Sequence, residues 1–192
     1  SGAAVGGETK ISDFSWNQQR APYVAELTNG GFAIAWETYG QDGDEMGVSV
    51  RVYNSDGSAA GASVQVNTFV QGWQSEPRIV AMTDGGFVVV WTSDADQDGD
   101  GSGIFGRRYD ASGVAVGGEF QVNTFTDFSQ LRPSVAALSG GGFIVVYQDG
   151  GNDPSPGSYY DIAGQIYDAN TNPVGSEFRI NTLDISGRQR DP

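Results

Sequence analysis

The residues best suited to chemistry lie in one stretch, Asp94-Ala-Asp96-Gln-Asp98-Gly99-Asp100-Gly-Ser102-Gly103. Alternate carboxylates at Asp94, Asp96, Asp98 and Asp100, with a glycine that permits a sharp bend, can turn oxygen ligands onto one hard cation, and Ca2+ takes six to eight such oxygens. Carboxylates this close in sequence repel one another unless a cation is present, which gives the loop an electrostatic reason to bind one. Phe105 stands where an EF-hand carries its closing glutamate, so the expected ion sits in a β-loop. A shorter version, Gln41-Asp42-Gly43-Asp44-Glu45, makes Asp42 and Asp44 further candidate calcium ligands. A weaker set of ligand-binding candidates precedes the first strand of each unit described below. There Trp16, Trp73, Arg20 and Arg132 could offer aromatic faces and guanidinium donors to a glycan.

Other chemistry is narrowed by composition. The 192 residues hold no cysteine and no histidine, which removes disulfides, thiol nucleophiles, Ser-His-Asp triads and most zinc sites. Ten basic against 24 acidic residues leave a formal charge of −14, which repels nucleic acid and anionic lipid. Membrane insertion is not expected either, because no apolar run approaches the length of a spanning helix. A glycosidase could work with two carboxylates, yet no acidic pair stands out in environment, and the chain is expected not to be an enzyme.

These loops must be positioned by a repeat. Pro22 to Trp36, Pro77 to Trp91 and Pro133 to Tyr147 are three versions of one segment, each carrying a Gly-Gly-Phe and an aromatic four residues later. Each continues through an acidic loop to Tyr53, Tyr109 or Tyr167 and on to an Asn-Thr pair at 67–68, 123–124 or 181–182. In the middle copy, strands are expected at about 78–83, 86–92, 103–109 and 116–123, joined by the glycine turns 84–86 and 110–113. The second strand, Phe87-Val-Val-Val-Trp91, is apolar on both faces and therefore belongs between two sheets. The expected fold is all-β: tandem four-stranded antiparallel meanders stacked as β-propeller-like blades, with three full repeats of about 55 residues. Residues 1–12 match the last strand of a preceding repeat. Repeats follow at 13–68, 69–124 and 125–182, and 183–192 resemble the start of another, so a longer array, or a homo-oligomer closing a ring, is expected.

With the unit laid out, Gly-Gly-Phe87-Val-Val-Val-Trp91, Gln97-Asp-Gly-Asp-Gly-Ser-Gly-Ile104-Phe-Gly-Arg-Arg-Tyr109-Asp-Ala-Ser-Gly113 and Glu119-Phe-Gln-Val-Asn-Thr124 resemble the repeats of large exported bacterial adhesin-like proteins that carry RTX calcium-binding segments. The resemblance implies export or surface display, calcium, and a surface glycan or matrix partner. The function expected is a calcium-binding structural or adhesion module of a secreted or cell-surface protein; the alternative is a propeller-type glycan-binding lectin.

Overall fold

The computed structural model describes residues 7–13, 17–150 and 160–181. Within them the chain forms three four-stranded antiparallel sheets and no helix. The first sheet comprises β1 (Gln19–Glu26), β2 (Phe32–Tyr39), β3 (Met46–Tyr53) and β4 (Val64–Gln65). The second comprises β5 (Gln74–Ala81), β6 (Phe87–Ser93), β7 (Gly103–Tyr109) and β8 (Phe120–Gln121); the third comprises β9 (Gln130–Ala137), β10 (Phe143–Asp149), β11 (Asp161–Tyr167) and β12 (Pro173–Arg179). Each is a simple meander in sequence order. The expected all-β, blade-like architecture is what the chain adopts.

Apolar residues on both faces of the second strands make the stack. Phe87, Val89 and Trp91 pack toward the first sheet, against Ala33, Ala35, Val48 and Val50. Val88 and Val90 pack toward the third, with Phe143, Val145 and Tyr147. These five side chains of β6 are all 0% exposed. At about 1.5–3 kcal/mol for each large apolar side chain buried, this double-faced strand is the main stabilising element of the middle blade. Within every sheet the first ring of the second strand stacks on the tyrosine ending the third: Phe32 on Tyr53, Phe87 on Tyr109 and Phe143 on Tyr167, with centroids 5.0, 5.0 and 4.9 Å apart.

The Gly-Gly of each first hairpin has two separate causes. Its first glycine, Gly30, Gly85 or Gly141, sits at φ +81, +93 or +90°, where a Cβ is strained. Its second, Gly31, Gly86 or Gly142, would place a Cβ 2.4, 2.4 or 2.1 Å from the carbonyl oxygen of Tyr53, Tyr109 or Tyr167.

Two strand boundaries differ from expectation. The first strand was expected from residue 78, but β5 begins at Gln74 and carries Pro77 inside it, because a register shift between Ser75 and Arg78 places the proline in a bulge where no ladder N–H is needed. The expected strand 116–123 pairs only at Phe120–Gln121, with one bridge from Ala115 to Tyr109. Gly117, at φ +86°, interrupts the edge.

The innermost strands β1, β5 and β9 lie side by side. Side-chain staples join the blades at the outer edge. Arg107 donates to the Val66 carbonyl (2.9 Å), as Arg51 does to that of Ile11 (3.0 Å). Glu177 accepts from the Thr124 amide (2.6 Å) and Glu119 from that of Thr68. In the first blade the polarity is swapped: Ser63 donates to Asp13 (2.9 Å).

Candidate functional site

The acidic loops came first in the sequence, and the structure spends their carboxylates on protein donors. Asp98 accepts from Asn123 Nδ2 at 2.7 Å and Asp42 from Asn67 Nδ2 at 2.8 Å; Asp161 and Asn181 repeat the pair at 2.6 Å. Each asparagine uses its own oxygen to accept an amide near the start of the third strand, from Ile104, Val48 or Ile162, at 2.8 Å. Asp100 accepts from the Phe128 amide (2.9 Å) and Asp44 from that of Gly72 (3.0 Å), so this second carboxylate of each Asp-Gly-Asp latches the next blade. Asp96 accepts from the Gly101 amide (2.8 Å) and Asp94 from that of Ala95 (2.8 Å). Each carboxylate of the loop thus meets at least one protein donor, while Asp98 Oδ1 stays buried without one and Asp100 still repels Asp98. Among the described residues no three acidic side chains come together as a metal-holding group. Burial raises the pKa of Asp98, and its bond to Asn123 only partly offsets that.

A different cluster forms at the inner edge. Ala21, Glu76 and Arg132 occupy one position in successive blades, each just before a proline, at φ +48, +55 and +54°. Non-glycine residues in this region cost of order 1–3 kcal/mol and persist only where neighbours hold them. The holders are carboxylates. Glu37 Oε1 accepts the Glu76 amide at 2.7 Å, and Glu76 Oε2 accepts the Arg132 amide at 2.9 Å. Glu37 lies on β2 and its side chain is 5% exposed, with Arg20 Nε donating to its other oxygen at 2.5 Å. The Glu76 side chain is 35% exposed and is steadied by the Thr92 hydroxyl at 3.2 Å; Arg132 Nε stands 3.8 Å from it. Each of these glutamates thus holds the bulge of the next blade, Glu37 buried and Glu76 part-exposed.

The ligand-binding candidates divide accordingly. Arg20 and Trp73 come together, with the guanidinium 5.4 Å from the indole centroid and Trp73 40% exposed. Arg132 joins them through Glu76. Trp16 lies outside the described residues. Glu37 and Glu76 were missed by the sequence reading, although two signals were present. Glu37 is an acid inside a strand otherwise read as core, where the other copies have Thr92 and Gln148, and Glu76 and Arg132 are charged residues directly before a conformation-restricting proline.

No protein-family model matches the chain, and no curated protein matches it in sequence. Solved structures do. The endo-arabinase of Bacteroides thetaiotaomicron aligns with a TM-score of 0.55 at 18% identity, covering 90% of this chain and 66% of that one. The GH93 α-L-arabinofuranosidase of Fusarium graminearum, solved with arabinobiose, aligns with a TM-score of 0.59 at 15% identity over 83% of this chain and 49% of that one. The Penicillium chrysogenum α-L-arabinanase, also complexed with arabinobiose, gives 0.57 at 13% identity over 82% and 49%. This chain spans half to two thirds of their length, and at these identities the shared property is the propeller fold.

Four expectations are corrected by these likenesses. The similar structures are arabinases and arabinofuranosidases, not adhesin-like RTX-associated calcium repeats. With that resemblance go the calcium-binding adhesion function, its lectin alternative, and the reading of the chain as a non-enzyme. The physical reason is that the acidic loops, which carried the adhesin reading, hold hydrogen-bond donors of their own blade and the next, and that strand order and blade packing, shared with these propellers, are not visible in a loop motif. Among the described residues no helix is long and apolar enough to cross a membrane.

Proposed function

We propose that this chain contributes the carboxylate-bearing part of a glycoside hydrolase acting on arabinan-type glycans. The observation that carries the proposal is the bond of the Glu37 carboxylate to the Glu76 amide, which ties two glutamates whose side chains stand in unlike environments, one buried and one part-exposed. Hydrolysis of a glycosidic bond uses two carboxyl groups, one giving a proton to the leaving oxygen and the other acting as base or nucleophile at the anomeric carbon. Carboxyl groups in unlike surroundings are suited to take these unlike roles. Glu76 is part-exposed with its orientation fixed by Thr92 and the Arg132 amide, which suits it to meet the substrate as base or nucleophile. Glu37 is the second member of the pair and also holds the bulge that presents Glu76. Trp73 beside Arg20 provides an aromatic face on which a sugar ring can lie. A secreted or cell-surface setting suits such a substrate.

The test is release of reducing ends from arabinan oligosaccharides by the full chain, with Glu76→Gln and Glu37→Gln as variants. Turnover that falls by about 100-fold or more in Glu76→Gln, with unchanged melting, supports the proposal. Absence of turnover in the wild type, or full activity in Glu76→Gln, overturns it.

A further inference from the structure

One turn recurs just ahead of the first strand of every blade. Asn17, Gly72 and Phe128 hold the same place in it, at φ +67, +66 and +61°. Asparagine and glycine tolerate this left-handed conformation, whereas a bulky aromatic residue is strained in it. The first two residues also have a local use for their identity. Asn17 Nδ2 donates to the Tyr39 carbonyl at 3.1 Å, and at Gly72 a Cβ would stand 2.8 Å from that of Ala95. A phenylalanine makes no such bond and gains no such clearance. The Phe128 amide is latched by Asp100 at 2.9 Å, but Asp44 latches the Gly72 amide in the same way at 3.0 Å, so the latch needs no ring.

The Phe128 ring is 65% exposed, as much as any large apolar side chain among the described residues. Among those residues it enters no ring stack and no cation–π contact, whereas Phe32, Phe87 and Phe143 each stack within their own sheet. Strain and exposure both act against phenylalanine at this place, and a ligand covering the ring offsets them. Its neighbours in the chain, Asp127 and Ser129, and its latch, Asp100, are polar. A single apolar face rimmed by hydrogen-bonding groups suits a sugar ring better than an apolar protein surface, which needs a contiguous patch. Nucleic-acid bases also stack on aromatic rings, but the formal charge of −14 repels their phosphates.

The same turn leads to the proposed catalytic carboxylates. Trp73 follows Gly72 directly, and its ring is tied to Glu76 through Arg20, whose guanidinium lies 5.4 Å from the indole centroid, and Glu37, which accepts from both Arg20 and the Glu76 amide. Phe128 takes the place of Gly72 one blade further on. Stacked sheets stand about 10 Å apart, so the sugar that lies on Trp73 does not reach Phe128, and a chain of several sugars does. We infer that Phe128 is a distal sugar-stacking subsite that favours long glycan chains over short ones. The choice of an arabinan-type chain and the place of cleavage rest on the glycoside hydrolase reading; the stacking itself does not.

Calorimetric titration with arabino-octaose and arabinotriose tests this, on the full chain carrying Glu76→Gln so that neither probe is cut, with and without Phe128→Asn. The octaose should bind more tightly than the triose, by a margin that shrinks about 5-fold or more in Phe128→Asn while the triose affinity stays unchanged, a loss of the size carried by one aromatic stacking contact. Phe128→Tyr keeps the ring and should keep the margin. Phe128→Asn alone should melt at, or up to about 4 °C above, the wild-type temperature, because asparagine is at home in this turn. An octaose bound no more tightly than the triose, a margin unchanged in Phe128→Asn or lost equally in Phe128→Tyr, or a lowered melting temperature in Phe128→Asn, which would make the ring part of the packing, overturns the inference. The two readings fail separately. Wild-type turnover of arabinotriose without a ring-dependent margin removes the subsite and leaves the hydrolase, whereas a ring-dependent margin without wild-type turnover of either glycan does the reverse.

Discussion

Replacing Asn123 by alanine should be among the most destabilising single changes in the molecule, although the side chain is neutral and touches no proposed substrate. Asn123 is 2% exposed, and its oxygen accepts the Ile104 amide at 2.8 Å. Its nitrogen serves Asp98 at 2.7 Å, the Phe125 carbonyl at 3.0 Å and Gln130 Oε1 at 3.0 Å. Ile104 and Gln130 are both 0% exposed, so truncation strands one buried donor and one buried acceptor, each worth about 1–3 kcal/mol. Asp98 is only half-buried and can regain water, and a water molecule entering the vacated space recovers part of the remainder. The net cost expected is about 3 kcal/mol. Urea unfolding followed by tryptophan fluorescence should show a midpoint lowered by about 1–2 M at unchanged slope. Asn67→Ala removes the same four contacts in the first blade, to Val48, Asp42, Phe69 and Gln74, and should cost the same. Asn123→Asp keeps the acceptor for Ile104 but sets a carboxylate against Asp98 and Gln130, and should cost at least as much as alanine. A loss under about 1 kcal/mol for Asn123→Ala, or an Asp variant more stable than the Ala variant, would show that the asparagine is not the lock described here.

Asp98 itself makes a pH prediction. Burial raises its folded pKa above the unfolded value, so the folded state keeps the proton to higher pH and stability falls as pH rises from about 4 through the raised pKa. Asp98→Asn should lack that fall, so its stability relative to wild type should grow across the window, read from denaturation midpoints at successive pH values. Asp110 acts in the opposite sense. Ser112 and the Val114 amide hold its pKa down, so Asp110→Asn should lose most relative to wild type at neutral pH and least below its folded pKa. Gly86→Ala should cost about 2 kcal/mol or more by driving a Cβ into the Tyr109 carbonyl, while Gly43→Ala, with nothing within 4 Å, should cost only the strain of its φ of +105°, about 1 kcal/mol; thermal melts of the pair separate close approach from backbone conformation. Calcium at residues 94–100 would have to share Asp96 with the Gly101 amide and Asp100 with the Phe128 amide, each of which uses one carboxylate oxygen. Melting with and without calcium, with Asp96→Ala as control, tests that ion, and a transition unmoved by calcium removes it from the account.

The repeat, the strand order within it and the double-faced core strand were legible in the residues themselves, because period-two alternation, glycine turns and recurring aromatics are local signals that act over a few positions. Trp36, Trp91 and Tyr147 were expected in the core and are 3, 0 and 0% exposed. The acidic loops were equally visible as charge, but their purpose was not. Whether Asp42 and Asp98 meet a cation or an asparagine 25 residues away depends on a third-strand contact that no local pattern encodes. The inner bulges were hidden for the same reason. Pro22, Pro77 and Pro133 announce a restricted backbone, yet the positive φ of the residue before each is imposed by the ladder on one side and, at Glu76 and Arg132, by a carboxylate from the preceding blade on the other. Local chemistry determined which strands form and that they stack. Only packing between blades, which joins residues 39 to 56 positions apart, decided that Glu37 holds the Glu76 amide and Glu76 the Arg132 amide.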